Sequence, residues 1–128
     1  MNIYEKKIQD HFYHPRHAGA LMIPDFSSTI FHPSCGDRIQ IMGKVADGHL
    51  IDVGFIGQGC MLSQAAASLL AQEVMHKSLV AIIALTAEDL KLLVGMPVGP
   101  IRFKCIELCL RALHEGIKNY YGGRGIVS

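Results

Sequence analysis

The chain has no tryptophan, few aromatic residues and no basic run interleaved with aromatic side chains. Its 12 basic residues face 11 acidic ones, for a formal charge of +1. That balance carries neither the electrostatic footprint of a nucleic-acid binder nor a basic patch for a membrane surface. Long apolar runs are missing as well. The longest, Leu79 to Leu85, gives way to Thr86-Ala87-Glu88-Asp89, well short of the roughly 20 apolar residues that a bilayer-spanning helix needs. The opening MNIYEKKIQDHF is charged and amphipathic, unlike a secretory signal. No Cys-x-x-Cys pair occurs among the four cysteines, which argues against a thiol-redox role. Four cysteines without an export signal point to the reducing cytoplasm, where thiols act as metal ligands, reactive groups or buried small hydrophobes.

What is present suits one compact unit. Half of the 128 residues are hydrophobic, enough for a core without disulfide staples, and the length predicts a single domain over residues 1–128. Tyr4, Ile8 and His11 or Phe12 recur at helical spacing, with Pro15 as a limit, so a short first helix is expected. The period then changes. Ile39, Ile41 and Val45 alternate with polar residues, and so do Ile51, Val53 and Phe55 after Ala46-Asp47-Gly48. This predicts a β-hairpin with one buried face. Ser28 to Phe31 adds a third strand. From Met61 the pattern is helical, with Ser63 as a candidate cap. Further helices are expected over Ser78 to Ala84 and from Thr86 to about Val94. After the rigid Gly95/Pro97/Gly99/Pro100 connector, a last helix is expected from Ile101 to Tyr121, ending at Gly122-Gly123. The order predicts an α+β fold, a small three-stranded antiparallel sheet with helices on one side.

Three segments combine a thiol with unusual local backbone. In Pro33-Ser34-Cys35-Gly36-Asp37, the Cys35 and Asp37 side chains, two apart in an extended or turning stretch, can point the same way and share one ligand. Gly57-Gln58-Gly59-Cys60 joins a strand to a helix, where backbone amides favour a thiolate and glycines allow close approach. Without a Gly-Lys-Ser/Thr ending it is no phosphate loop. Lys104-Cys105 places a lysine beside a thiol near the start of the last helix. Cys109, one turn on among Leu108, Ala112 and Leu113, reads as a buried, inert thiol. Three thiolates and a carboxylate make a tetrahedral set for zinc, and thiolates also suit iron–sulfur clusters. The harder Asp37 ligand would keep such a cluster labile, as a donor requires. Spacing alone does not bring these residues together. Of the histidines, His11, His14 and His17 read as surface or capping residues, and His32 is the best auxiliary candidate beside Cys35.

The three cysteine segments, in this order, resemble the signature of the IscU/SufU/NifU N-terminal family, and the resemblance covers nearly the whole chain. Asp10-His11-Phe12 with His14-Pro15-Arg16 is similar to the family's opening segment. Pro33 to Asp37 matches its Cys-Gly-Asp motif, Gly57 to Ala65 its Gly-Cys-x-x-Ser-x-Ala helix start, and Cys105 its third cysteine. The resemblance implies that Cys35, Asp37, Cys60 and Cys105 surround one site for zinc or a transient [2Fe–2S] cluster. It also implies a cysteine desulfurase partner that delivers persulfide sulfur, and downstream cluster acceptors. The sulfur-accepting residue would be Cys105 in scaffold-like members and Cys35 in SufU-like ones. Lys104 stands where scaffold members carry a histidine, as in SufU-like proteins, while the short connector lacks their insertion. The expected function is a cluster assembly scaffold and sulfur acceptor, and the alternative is a zinc-dependent sulfurtransferase that builds no cluster.

Overall fold

The two hydrophobic periods become the expected element types: α1 (Ile3–Tyr13), β1 (Phe26–His32), β2 (Asp37–Ala46), β3 (His49–Gln58), α2 (Met61–Val74), α3 (Leu79–Ile83), α4 (Ala87–Val94) and α5 (Pro100–Val127). This computed structural model describes residues 3–33, 36–95 and 97–127, the side chains of Tyr4 and 123–127 excepted. The strands form one antiparallel sheet in the order β1-β2-β3. Phe26, Ile39, Ile41, Val53 and Phe55 are buried on one face of it, together with Leu69, Leu70, Ile106, Leu113 and Ile117 of α2 and α5. The α+β architecture with helices on one side of the sheet is as anticipated.

The hairpin turns through Asp47 and Gly48, both at positive φ (52° and 73°), the type I′ geometry that matches strand twist. One detail departs from the expected alternation. Lys44 pairs with Asp52 but Val45 pairs with Leu50, so Ile51 is an extra residue in β3. A bulge reverses the side-chain parity beyond it. Leu50 is therefore fully buried, and Ile51, expected inside, is exposed. Along the free edge of β3, segment 17–19 adds a short parallel bridge, Ala18 opposite Phe55. Gly19 N donates to Phe55 O (2.8 Å), and Phe55 N donates to His17 O (3.2 Å).

The height of α5 above the sheet is set by one ring. Phe26 of β1 lies opposite Gly43 of β2, where a Cβ would collide with the ring. On the helix side, a Cβ at Gly116 would sit 2.6 Å from Phe26 Cδ1. The ring fills the room that two glycines leave.

The helix ends follow local chemistry. Thr86 and Asp89 form the capping box expected before α4, with Thr86 N donating to Asp89 Oδ2 (2.8 Å) and Asp89 N to Thr86 Oγ1 (3.2 Å). Thr86 N, and with it Thr86 Oγ1 (3.0 Å), donates to the Asp89 carboxylate and holds it below its ordinary pKa. Gly95 closes α4 in the left-handed conformation at φ 81°, as glycine allows. Two expectations are corrected. The cap of α2 is Cys60 rather than Ser63. The last helix starts at Pro100 and runs through Gly122-Gly123 to Val127; glycine permits a helix stop without imposing one.

Candidate metal centre

Three elements deliver three donors to one point. Asp37 opens β2, and the β2–β3 ladder, which pairs Arg38 with Gln58, brings it alongside the turn into α2. That turn is shaped by Gly59 at φ 151°, a conformation that side chains rarely adopt. A Cβ there would strike the Asp37 carboxylate. Glycine thus serves both the backbone angle and the close approach. Cys60 follows in an extended conformation as N-cap of α2, its Sγ accepting from Ser63 N at 3.4 Å. Ser63 Oγ donates back to Cys60 O at 3.0 Å, so sulfur and hydroxyl together close the first turn. Cys105 enters from α5, buried at 7% exposure, whereas Cys60 is exposed.

The donor atoms of Asp37, Cys60 and Cys105 all lie within 4.8 Å of one another. Asp37 Oδ1 accepts from Cys60 N at 3.3 Å, and the Cys60 thiol points to Oδ2 at 3.8 Å. The Asp37 side chain is 3% exposed, and among the described residues it forms no salt bridge. A buried carboxylate normally needs a cation or a metal. Tetrahedral zinc bonded to sulfur at about 2.3 Å and oxygen at about 2.0 Å spaces its ligands roughly 3.5–3.8 Å apart. The cluster is within small side-chain movements of that spacing, so its donors fit zinc in chemistry and in separation. Cys35, the fourth expected ligand, lies outside the described residues.

Cys109 behaves as expected for a core thiol. It is 1% exposed, donates to Ile106 O at 3.1 Å, and burial pushes its pKa up to about 12. His14, His17, His49 and His76 are exposed, and His114 Nε2 lies 2.8 Å from Ile82 O. His11, expected at the surface or at a cap, is instead buried. Its Nδ1 lies 2.8 Å from Ser68 Oγ, which also accepts from Arg16 N at 2.8 Å. Ser68, fully buried in α2, thereby ties α1 and the following loop to the site-bearing helix. Its polarity at a core position of an alanine-rich run was the signal for this contact.

Burial, reinforced by the Arg16 and Lys7 charges and opposed by Asp10, lowers the His11 pKa from its ordinary value. The unfolded chain therefore binds this proton more readily than the folded one. Stability from this residue is complete above about pH 6.5 and is lost as pH falls below it. Chemical denaturation at pH 5 and pH 7 should show a loss at the lower pH that shrinks in His11→Gln. An equal loss in both proteins would contradict the assignment.

The chain matches the NifU-like N terminal domain family model over residues 3–125 and belongs to that family. The zinc-dependent sulfurtransferase SufU of Bacillus subtilis (strain 168) is 30% identical, over 94% of this chain and 93% of that protein. The iron–sulfur cluster assembly scaffold protein IscU of Aquifex aeolicus (strain VF5) is 33% identical, over 97% and 80% respectively. The crystal structure of an N-terminal NifU-like protein from Brucella abortus has the same fold, with a TM-score of 0.77 at 22% identity over 94% of this chain and 95% of that one.

Proposed function

We propose that this chain is a cytoplasmic scaffold and sulfur acceptor for iron–sulfur cluster assembly, acting as one domain over residues 1–128. Cys35, Asp37, Cys60 and Cys105 are its metal- and cluster-binding residues. The observation that carries the reading is the convergence of Asp37, Cys60 and Cys105 from three separate elements within 4.8 Å. Family membership and the scaffold and SufU relatives support it.

In this reading a cysteine desulfurase presents a persulfide, and the thiolate of Cys105 or Cys35 attacks its outer sulfur. A new S–S bond forms on this chain, the desulfurase S–S bond breaks, and the desulfurase cysteine leaves as a thiolate, so no oxidant is required. Asp37 and Cys60 keep the site assembled meanwhile, Asp37 from the buried side and Cys60 from the open side. A [2Fe–2S] cluster is the cargo, passed on to acceptor proteins. Zinc, when bound instead, would hold the thiols as thiolates and fix their geometry.

The SufU relative, matched over nearly its whole length, supports the second reading, a zinc-dependent sulfurtransferase. Anaerobic incubation with iron, cysteine and a cysteine desulfurase separates the two. A visible cluster absorption is the expected result. Faster desulfurase turnover with zinc retained and no cluster would select the second reading. If neither is seen, both readings are wrong.

A further inference from the structure

Two glycines of the sheet are explained by their neighbours, and a third is not. At Gly43 a Cβ would collide with the Phe26 ring, and at Gly54 with Gly19 O. A Cβ on Gly57 would meet nothing closer than Gln64 Cγ at 3.7 Å and Arg38 O and Ile39 Cδ1 at 3.8 Å, all ordinary van der Waals contacts. Nor is Gly57 among the residues with positive φ. Glycine weakens a strand interior, and where backbone and neighbours do not demand it, it marks a place that something else approaches closely.

That place is a small cavity at the metal centre. Ile39 lies opposite Gly57 in the β2–β3 ladder and is buried. The two share the cavity with Gln64 of α2 and with Cys105, Leu108 and Cys109 of α5. The centre of a water-sized sphere can range over about 10 Å³ inside it, room for one atom and little more. Its lining is a poor host for water, which needs roughly two to four polar partners. Ser63 Oγ and Gln64 Nε2, both at the cavity, already donate to Cys60 O and Gly59 O at 3.0 Å each. The Cys109 thiol donates to Ile106 O at 3.1 Å. What remains is mostly aliphatic carbon and sulfur, a surface suited to a soft, polarisable atom.

Cys105 stands between this cavity and the donor cluster, where its sulfur lies within 4.8 Å of the Asp37 and Cys60 donors. We infer that the cavity receives the outer sulfur of a Cys105 persulfide, and that position 57 is glycine to keep it open. This rests on the sulfur-acceptor reading and fixes where the transferred atom goes. The Cys105 thiolate attacks the outer sulfur of the desulfurase persulfide, and the new S–S bond forms on Cys105. The outer sulfur brings its proton, and the desulfurase cysteine leaves as a thiolate. That sulfur stands about 2 Å from Cys105 Sγ. Rotation about the Cβ–Sγ bond turns it into the cavity, away from bulk thiols that would strip it. Cys109, its proton engaged with Ile106 O, closes the cavity as a wall.

Gly57→Ala tests this, because its methyl group enters the cavity without a collision. Wild type and variant are charged anaerobically with a cysteine desulfurase and cysteine, without iron. Mass spectrometry of alkylated peptides measures persulfide on each cysteine, and added glutathione times its loss. In Gly57→Ala the Cys105 persulfide should be lost at least about fivefold faster than in the wild type. Zinc affinity should stay within about threefold of wild type, and the thermal melt should not fall. Cys109→Ala should take up sulfur on Cys105 as the wild type does. The inference is overturned if Gly57→Ala keeps its Cys105 persulfide as long as the wild type, or if its zinc affinity or melting temperature falls with the persulfide. Sulfur found on Cys109 would also overturn it. Sulfur confined to Cys35 would do the same while leaving the acceptor function in place. A wild-type chain that takes sulfur on no cysteine would instead remove the proposed function beneath it.

Discussion

Cys105→Ser should lower zinc affinity about a hundredfold while the chain stays folded. Structural zinc sites bind with roughly 10–16 kcal/mol shared among four ligands, so one thiolate accounts for about 3 kcal/mol. Serine keeps the shape of the side chain but offers a poor ligand at neutral pH. The apo fold should tolerate the exchange, because the core of α5 is carried by Ile106, Leu108, Leu113 and Ile117, all buried. Sulfur transfer and cluster assembly should both be lost. Chelator competition and a thermal melt of the metal-free protein measure the two sides separately. Retained zinc affinity would exclude Cys105 from the site. A variant that no longer folds would point to a purely structural metal in a small interaction domain.

Gly59→Ala should damage the same centre from the backbone. At φ 151° alanine is strained wherever it is placed, a cost of about 1–3 kcal/mol. Its methyl group would also occupy the space of the Asp37 carboxylate. Either the turn opens, moving Cys60 away, or Asp37 swings out of its buried position. Each response separates donors that now lie within 4.8 Å. Zinc affinity should fall at least about tenfold, as when ligand positioning is disturbed. Gly99→Ala provides the control, since Gly99 has open space around it and no positive φ is recorded there. Equal zinc affinities for the two variants would show that the close approach at Gly59 has no bearing on the metal.

The order and type of the elements were legible because each rests on a local pattern: period-two alternation in the hairpin, helical spacing after Met61, and the Thr86–Asp89 box. Details that depend on partners distant in sequence were not. Alternation alone places Ile51 inside, and only the pairing of Val45 with Leu50 reveals the bulge that turns it out. His11 reads as a surface residue until α2 supplies Ser68, 57 positions later. Candidate ligands could be named from their local settings, such as Cys60 at a helix start. Their meeting could not be read from spacing, since the Asp37–Cys60 contact spans 23 positions and α5 must dock before Cys105 arrives. The family resemblance supplied that long-range information, and the geometry of the described residues is consistent with it.

The extra residue in β3 lies at the hairpin tip, remote from the end of the ladder where Asp37 meets Gly59. The tip already absorbs a parity change without passing it to the rest of the sheet. A single-residue insertion or deletion around Ala46 to Ile51 would disturb the contacts of the tip itself, where Leu50 N donates to Lys77 O and Leu79 N to Gly48 O, and would leave the site end of the ladder in register. The same change placed between Arg38 and Gly43 would turn Asp37 to the opposite side of the sheet. The site end of the hairpin is thus fixed by the count of residues between a carboxylate and the turn it must face.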